Sequence, residues 1–312
     1  MTGPSSCGQA GGALRVQTVL YHPTRSRVER YASGLAAAVG GALAGAAVNR
    51  VTIAFGDCSP QPAPGEEIVE TVAARLVAAG CQPPVYRHFG ANLGHGGGHN
   101  ALFDGWAGEE QVLLLNPDTC AAPGLLSELL ATMADGTVGL ADARQLPLEH
   151  PKDYDRVSGD TSWASGACLM ARSGAFAAMG GFDAKTFFLH GDDVDLSWRF
   201  RLGGWRVCHQ PRARVFHDKR LDRNGVIVAD AAERHYGLLC HLLLATKYDR
   251  PDMVQAALER FRASPDADVR AVADEFDVRR QRGELPEPLP SSRDVAQFVG
   301  GEFAPVRFRY SD

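Results

Sequence analysis

A chain of 312 residues is long enough for one large domain, or for one domain and a smaller appendage, around a sizeable core. Hydrophobic residues at 45% and charged residues at 22% are ordinary for a soluble globular protein, and a formal net charge of -5 argues against a general nucleic-acid binder. The seven cysteines (Cys7, Cys58, Cys81, Cys120, Cys168, Cys208 and Cys240) are odd in number and form no CxxC pair, which speaks against a disulfide framework or zinc site and for thiols in a reducing cytosol.

Residues 1–15 lack a basic segment followed by a sustained apolar core, so they are expected to be a flexible N-terminus without a signal peptide. VQTVLYH, residues 16–22, is β-branched and apolar and ends at a proline, the pattern of a buried strand. A helix is expected over residues 28–48. Its run GLAAAVGGALAGAAV is too short and too rich in Ala and Gly to span a bilayer. RVTIAFGD is a second strand, and EEIVETVAARLVAAG has helical spacing with Ile68, Val72, Leu76 and Val77 on one side. PVYRHFG is a third strand. The glycine-rich GANLGHGGGHN should lead into a helix carrying Ala101, Leu102 and Trp106, followed by the fourth strand, QVLLLNPD. Strands alternating with helices at this pitch predict an α/β fold with a mostly parallel sheet flanked by helices. Ligands of such sheets sit beyond the carboxyl ends of the strands, where Tyr21, His22, Asp57, Asn92 and Asp118 fall. From about residue 230 the chain turns helical, and LPEPLPSS and FAPVRFRY suggest a Pro-rich linker and a final extended segment. A helical C-terminal appendage over 221–312 is therefore expected beside a main domain over 16–220.

Several segments have chemical potential, each with a plainer alternative. Asp118 of NPD could face a hard divalent cation, which prefers oxygen ligands, but Asn-Pro-Asp is also a common turn. The glycines of NLGHGGGHN could let backbone N–H groups approach a phosphate, or could form a flexible loop. In GDDVDLSWR three carboxylates, Asp192, Asp193 and Asp195, crowd beside aromatic residues. Capping by Asp192 or Asp193 of a helix ending at Gly203-Gly204 explains one of them; a carboxylate kept ionised at a helix N-terminus could also accept a hydroxyl proton. His217 follows the short strand RARVF. It is either structural or, with Asp118, part of a metal site suited to Mn2+ and tolerant of Mg2+.

The order of these motifs resembles that of a family 2 glycosyltransferase with the GT-A fold, in its rhamnosyltransferase-like branch. The matching run is NLGHGGGHN, LLLNPDT, SGACLMARSGAF, GGFDAKTFFLHGDDVDLSWRFRLGGWRV and VFH, across about two-thirds of the chain. The resemblance implies an inverting, metal-dependent transfer of a sugar from a nucleoside-diphosphate donor to an acceptor hydroxyl. Asp118 and His217 would hold the divalent metal, Mn2+ or Mg2+. Asn116 stands where the family has the first acid of its DxD motif, and would lie on the donor. Asp193 would be the catalytic base, with Asp192 and Trp163 on the acceptor side and Asp195 and Arg199 as structural partners. Tyr21, Asp57, Arg87, Asn92 and Asn100 would line the nucleotide and diphosphate, although Gly56-Asp57-Cys58-Ser59 departs from the usual Asp-Asn pattern.

The same resemblance points to a dTDP- or UDP-sugar, such as a rhamnosyl donor, and to a glycan, lipid-linked saccharide or secondary metabolite as acceptor. A cytoplasmic protein is expected, with the inner face of the membrane as a further location, and the helical tail could serve a homodimer, an acceptor platform or a membrane-surface contact. One alternative is a sugar-phosphate nucleotidyltransferase, which would carry a glycine-rich basic loop after the first strand; YHPTRSRVER has the arginines but no glycine. The other is a non-catalytic sugar- or nucleotide-binding protein of the same fold.

Overall fold

A computed structural model describes residues 12–105, 108–149, 152–219, 221–224, 228–298 and 303, and the backbone of Arg309–Tyr310. The expected alternation is present: β1 (Ala13–Leu20), α1 (Arg25–Ala44), β2 (Arg50–Asp57), α2 (Gly65–Ala78), β3 (Val85–His88), α3 (Gly94–Phe103) and β4 (Gln111–Leu115). Then come β5 (Thr119–Ala121), α4 (Leu125–Met133), β6 (Val138–Leu146), β7 (Leu148–Glu149), β8 (Cys168–Arg172), α5 (Ser173–Ala178), α6 (Asp192–Leu202) and β9 (Arg206–His217). The chain continues through α7 (Ala231–Lys247), α8 (Pro251–Arg262), α9 (Ala267–Gln281) and β10 (Arg309–Tyr310), which pairs with β7.

Eight strands form one sheet in the order β3-β2-β1-β4-β8-β6-β9-β5. Pairing is parallel from β3 to β4 and between β6 and β9, while β8 and β5 run against their neighbours. β4 shows why the sheet needs cover on both faces. Leu113 and Leu115 join the core under α1, α2 and α4, whereas Val112 and Leu114 join the cluster of Phe176, Phe182, Leu196 and Phe200 under α5 and α6. Strict alternation along an all-apolar strand produces this division. In β9 the pairing with β6 jumps from Gln210 to Arg214, so residues 211–213 bulge out, and Pro211 sits where a missing N–H is tolerated.

Several boundaries differ from the sequence expectation. β1 begins at Ala13, inside the stretch expected to be flexible, and ends at Leu20, which leaves Tyr21 and His22 in a turn. Residues 1–11, Trp106 and residues 304–308, all part of the sequence reading, lie outside the described residues. The glycine-rich segment does lead into the helix with Ala101 and Leu102, but the helix begins within it: residues 90–93 precede α3, and Gly94 to Asn100 form its first turns. Each helical glycine costs about 1 kcal/mol relative to alanine, but a Cβ here has no room. At Gly96 it would lie 2.6 Å from Phe182 Cβ, and at Gly98 2.7 Å from Val19 Cγ1.

The C-terminal helices share a core with the rest of the chain. Leu239, Leu242 and Leu243 of α7, Phe261 of α8 and Phe276 of α9 pack with Val194 and Trp198 of α6 and with Trp163 and Phe187. α7 starts at a capping box formed by Asp230 and Glu233, and Pro251 occupies the first turn of α8. The segment expected as a linker is tied down: Leu289 N–H donates to Lys247 O at 2.8 Å and Ser292 is buried. Among the described residues, no helix is long and apolar enough to cross a membrane, and the six described cysteines are free thiols.

Candidate active site

The parallel strands deliver their carboxyl ends to one edge, as the sequence required. Asp118 follows β4, and the antiparallel pairing of β5 with β9 sets Thr119 opposite His217. Asp218 N–H donates to Asp118 O at 2.8 Å, which closes this corner. His217 Nε2 consequently stands 3.3 Å from Asp118 Oδ2, while its Nδ1 meets Gln145 Oε1 at 2.6 Å. An amide oxygen only accepts, so Nδ1 carries the proton and Nε2 is the nitrogen turned to the carboxylate. Burial alone would raise the Asp118 pKa; His217, Lys219 and Arg27 outweigh it and hold it at about 2. The carboxylate is therefore ionised across the physiological range.

An imidazole nitrogen and an ionised carboxylate facing each other fit a divalent cation. Among the described residues no group of three or more His, Cys, Asp and Glu side chains is arranged to hold a metal. Asp118 and His217 are thus two potential ligands for such a cation among the described residues.

Asp118 and His217 border two cavities. One, of about 160 Å3, is walled by His95, Asn116, Gly166, Asp192, Asp193 and Lys219. The other, of about 220 Å3, is walled by Arg27, Arg30 and the exposed ring of Phe216. Arg30 is paired there with Asp218 at 2.8 Å. One side of the Asp118–His217 pair is rich in carboxylates and the other in guanidinium groups.

The three acids of GDDVDL divide cleanly. Gly191, with φ of 76°, takes the N-cap position of α6, so neither Asp192 nor Asp193 caps it; both lie in the first turn. Asp192 is buried, and its Oδ2 meets His95 Nδ1 at 2.6 Å. Asp195 is buried too, held by Arg199 Nε at 2.8 Å, Lys247 Nζ at 2.7 Å and the Tyr248 hydroxyl at 3.1 Å. Asp193 alone is half-buried and open to the cavity. Its Oδ2 accepts from Gly166 N–H at 2.8 Å and its Oδ1 from Val194 N–H at 2.9 Å. Two backbone donors at a helix N-terminus fix this carboxylate in place.

Asn116 reaches the cavity with these residues, but other expected residues lie elsewhere. Asp57 is fully buried at the end of β2, where Ser59 N–H and the Tyr86 hydroxyl occupy its two oxygens at 2.7 and 2.8 Å. Asn100 clamps the backbone of Phe182, donating to its carbonyl at 2.8 Å and accepting from its N–H at 2.9 Å. Arg87 points away from Tyr86 and His88 to donate to Ala101 O at 2.7 Å. Trp163 is buried beneath the Lys152 ammonium, 4.4 Å from the ring centroid, and presents no open wall. Tyr21 is exposed, and Asn92 accepts from Gly94 N–H at 3.1 Å where α3 begins.

Sequence reasoning passed over His95. Burial would lower its pKa, but Asp192, Asp193 and Asn116 outweigh that and raise it. Its neighbour His99, one turn along α3 and 4.8 Å away ring to ring, is lowered well below the ordinary value by burial and by His95. The i, i+4 spacing of two histidines in HGGGHN was the available signal; without knowing that α3 begins at Gly94, nothing placed them on one face. Gln145, in β6, and Ser165 and Gly166, in the loop before β8, were given no role either, because uncharged residues carry little sequence mark.

No family model matches the chain. Over 177 aligned residues it is 30% identical to the N-acetylglucosaminyl-diphospho-decaprenol L-rhamnosyltransferase of Mycobacterium tuberculosis, covering 42% of this chain and 57% of that protein. It is 32% identical over 128 residues to the pre-mycofactocin glycosyltransferase of the same organism, covering 35% of this chain and 27% of that one. The matches thus span less than two-thirds of either relative. A crystal structure of GalNAc-T7 with UDP, GalNAc and Mn2+ superposes on 88% of this chain and 56% of its own, with a TM-score of 0.60 at 11% identity. That likeness speaks for the fold, which is the GT-A fold of glycosyltransferases. The resemblance to rhamnosyltransferase-like glycosyltransferases read from the sequence is borne out.

Proposed function

We propose that the protein is an inverting glycosyltransferase of family 2 that moves a sugar from a nucleoside-diphosphate donor to an acceptor hydroxyl. One observation carries this reading: Asp118 and His217, joined by the β5–β9 pairing, share a cavity with Asp193, the one open carboxylate of the three in α6. The curated relatives, one named a rhamnosyltransferase and both glycosyltransferases, support the reaction class.

Asp118 and His217 would hold Mn2+ or Mg2+, which when bound neutralises charge on the donor diphosphate. Arg27, Arg30 and Lys219 add positive charge around the same pair. Asp193 takes the proton of the acceptor hydroxyl as that oxygen bonds to the anomeric carbon. The bond from the anomeric carbon to the phosphate oxygen breaks, and its electron pair leaves with the nucleoside diphosphate. A single displacement from the opposite face inverts the configuration without a covalent glycosyl-enzyme. The Gly166 and Val194 N–H groups hold the base in place for the step. His95 is paired with Asp192 at 2.6 Å, so the acceptor side does not present two adjacent unpaired carboxylates.

The donor end is proposed to be formed by Tyr21, Asn92 and Asn116, with Asp57 bracing the end of β2 from within. The donor is proposed to be a deoxysugar nucleotide such as dTDP-rhamnose and the acceptor a lipid-linked saccharide at the inner face of the membrane, a choice supported by the relative named as an L-rhamnosyltransferase of N-acetylglucosaminyl-diphospho-decaprenol. Thermal-shift screening of nucleotide sugars with and without Mn2+ tests the reading. A nucleoside diphosphate should raise the melting temperature only with the metal; if none stabilises the protein with any metal, the reading fails. Asp193→Ala with transfer unchanged would also overturn it.

A further inference from the structure

Behind the cavity lies a chain of polar contacts that the reaction scheme leaves without a role. Asp142 in β6 is wholly buried and accepts from Ser165 N–H at 2.7 Å and from His209 Nδ1 at 2.8 Å, with the Lys152 ammonium also paired to it. Burial would raise Asp142, but Lys152 and His209 outweigh it and hold it below the ordinary aspartate range. The Ser165 hydroxyl accepts from Gln145 Nε2 at 2.9 Å. Gln145 is itself fully buried; its N–H donates to Glu149 Oε2 at 2.7 Å, and its Oε1 takes the His217 Nδ1–H at 2.6 Å. One residue beyond Ser165, the Gly166 N–H holds Asp193 Oδ2 at 2.8 Å. Ser197 spans the same gap: its hydroxyl accepts from Ala164 N–H at 3.0 Å and donates to Asp193 O at 2.7 Å.

We infer that Gln145, braced by Ser165, is a positioning residue: it fixes the proton of His217 on Nδ1 and so presents Nε2, beside Asp118, to the cation. The inference rests on the proposed glycosyltransferase reading for what the cation does, but the tautomer of His217 is a property of the protein alone. Both ends of this buried amide are engaged, Nε2 by the Ser165 hydroxyl and Oε1 by His217, and an acceptor at Oε1 calls for the proton on Nδ1. The neighbouring Gly166 gives the geometry a second consequence. The dipeptide 165–166 is pinned by Asp142 and reaches the cation pair through its side chain and the base through its backbone. A shift of that dipeptide displaces His217 and Asp193 together.

The test uses the full chain labelled with 15N-histidine, with His217 assigned from a His217→Asn variant. Long-range 1H–15N spectra of the metal-free protein should show His217 protonated on Nδ1, and Gln145→Leu should lose that signature. Titration of Mn2+ with UDP or dTDP should then show affinity falling about 10- to 100-fold in Gln145→Leu, the range for loss of an outer-shell partner of a metal-binding histidine. Gln145→Glu should restore both readouts: one carboxylate oxygen still accepts the Nδ1 proton, and the other accepts from the Ser165 hydroxyl, which turns round. Ser165→Ala should fall between the two. Should Gln145→Leu fail to fold, Ser165→Ala and Gln145→Glu carry the comparison. An unchanged His217 tautomer in a folded Gln145→Leu, or Mn2+ affinity within twofold of the parent, overturns the inference. A parent protein that binds neither diphosphate with Mn2+ overturns the glycosyltransferase reading instead, and the metal-free spectra then decide the role of Gln145.

Discussion

His95 meets Asp192 at 2.6 Å, whereas His217 meets Asp118 at 3.3 Å, and the two pairs border the same cavity. What stands behind each ring differs. His95 points Nδ1 straight at a carboxylate that is 4% exposed, so the pair is largely closed to solvent. His217 has its Nδ1 taken by Gln145, and its Nε2 shares the front of the site with a carboxylate that is 27% exposed. Identical residue types thus make a closed internal pair in one place and a more open pair in the other. The difference lies in which nitrogen the surroundings engage.

The largest expected effects separate the open pair from the proposed base beside it. Asp118→Asn and Asp193→Asn should each slow transfer by about 10^2- to 10^4-fold. Only Asp118→Asn should also abolish metal-dependent binding of the nucleotide, read by calorimetry. If Asp193→Asn weakens that binding equally, the division between a binding pair and a base collapses.

Next in size is stability. His95→Leu leaves Asp192 buried without its partner and should cost about 3 kcal/mol in urea unfolding, as expected when one half of a buried pair is removed. His217→Leu should cost clearly less, because Asp118 keeps contact with solvent. Equal losses would mean that both pairs are structural. Gly166→Ala should lower kcat about tenfold with little effect on nucleotide affinity. Its Cβ would stand 3.0 Å from His95 Cε1 and 3.3 Å from Asp193 Cβ, and so press on the base rather than on the cation pair.

The smallest effects are in pH dependence, where His95 and His99 should act with opposite signs. The pKa of His95 is raised, so its contribution is full below the ordinary imidazole value and fades as pH rises through its folded value. The pKa of His99 is lowered, so the folded state resists its protonation and stability falls as pH drops below that ordinary value. His95→Gln should flatten the alkaline side of a plot of urea midpoint against pH, and His99→Leu the acid side. Both variants flattening the same side would contradict these assignments.

Strands were the most legible part of the molecule, since β2 coincides with RVTIAFGD and β4 lies within QVLLLNPD. Their apolar runs report burial on two faces, which is a local property. The glycines of α3 misled because their cause is remote: Phe182 and Val19 leave no room for a Cβ, and neither is visible from GHGGGH. Asp118, Asp193 and His217 came together as their motif order implied. Asp57 and Asn100 sit in equally suggestive positions but spend their polar atoms on Ser59, Tyr86 and Phe182. Whether a polar side chain looks outward or pairs inward depends on backbone groups that sequence patterns do not locate. The C-terminal helices were legible as helices, but the contacts by which Lys247 and Tyr248 secure Asp195 of α6 were not.

The bulge at residues 211–213 sets a counting constraint on the site. Asp142 is opposite His209 and Gln145 is opposite Val215, whereas an uninterrupted ladder would set Gln145 opposite Arg212. The bulge adds an odd number of residues, so it also decides which face of the sheet each later side chain occupies. His217, two positions beyond Val215, turns toward Gln145 only because of that parity. Loss of any one residue between Gln210 and Arg214 would rotate the imidazole to the opposite face while altering no group in the cavity. Length in this segment is therefore a stricter requirement than residue identity, and insertions or deletions there are expected to be as damaging as replacing His217.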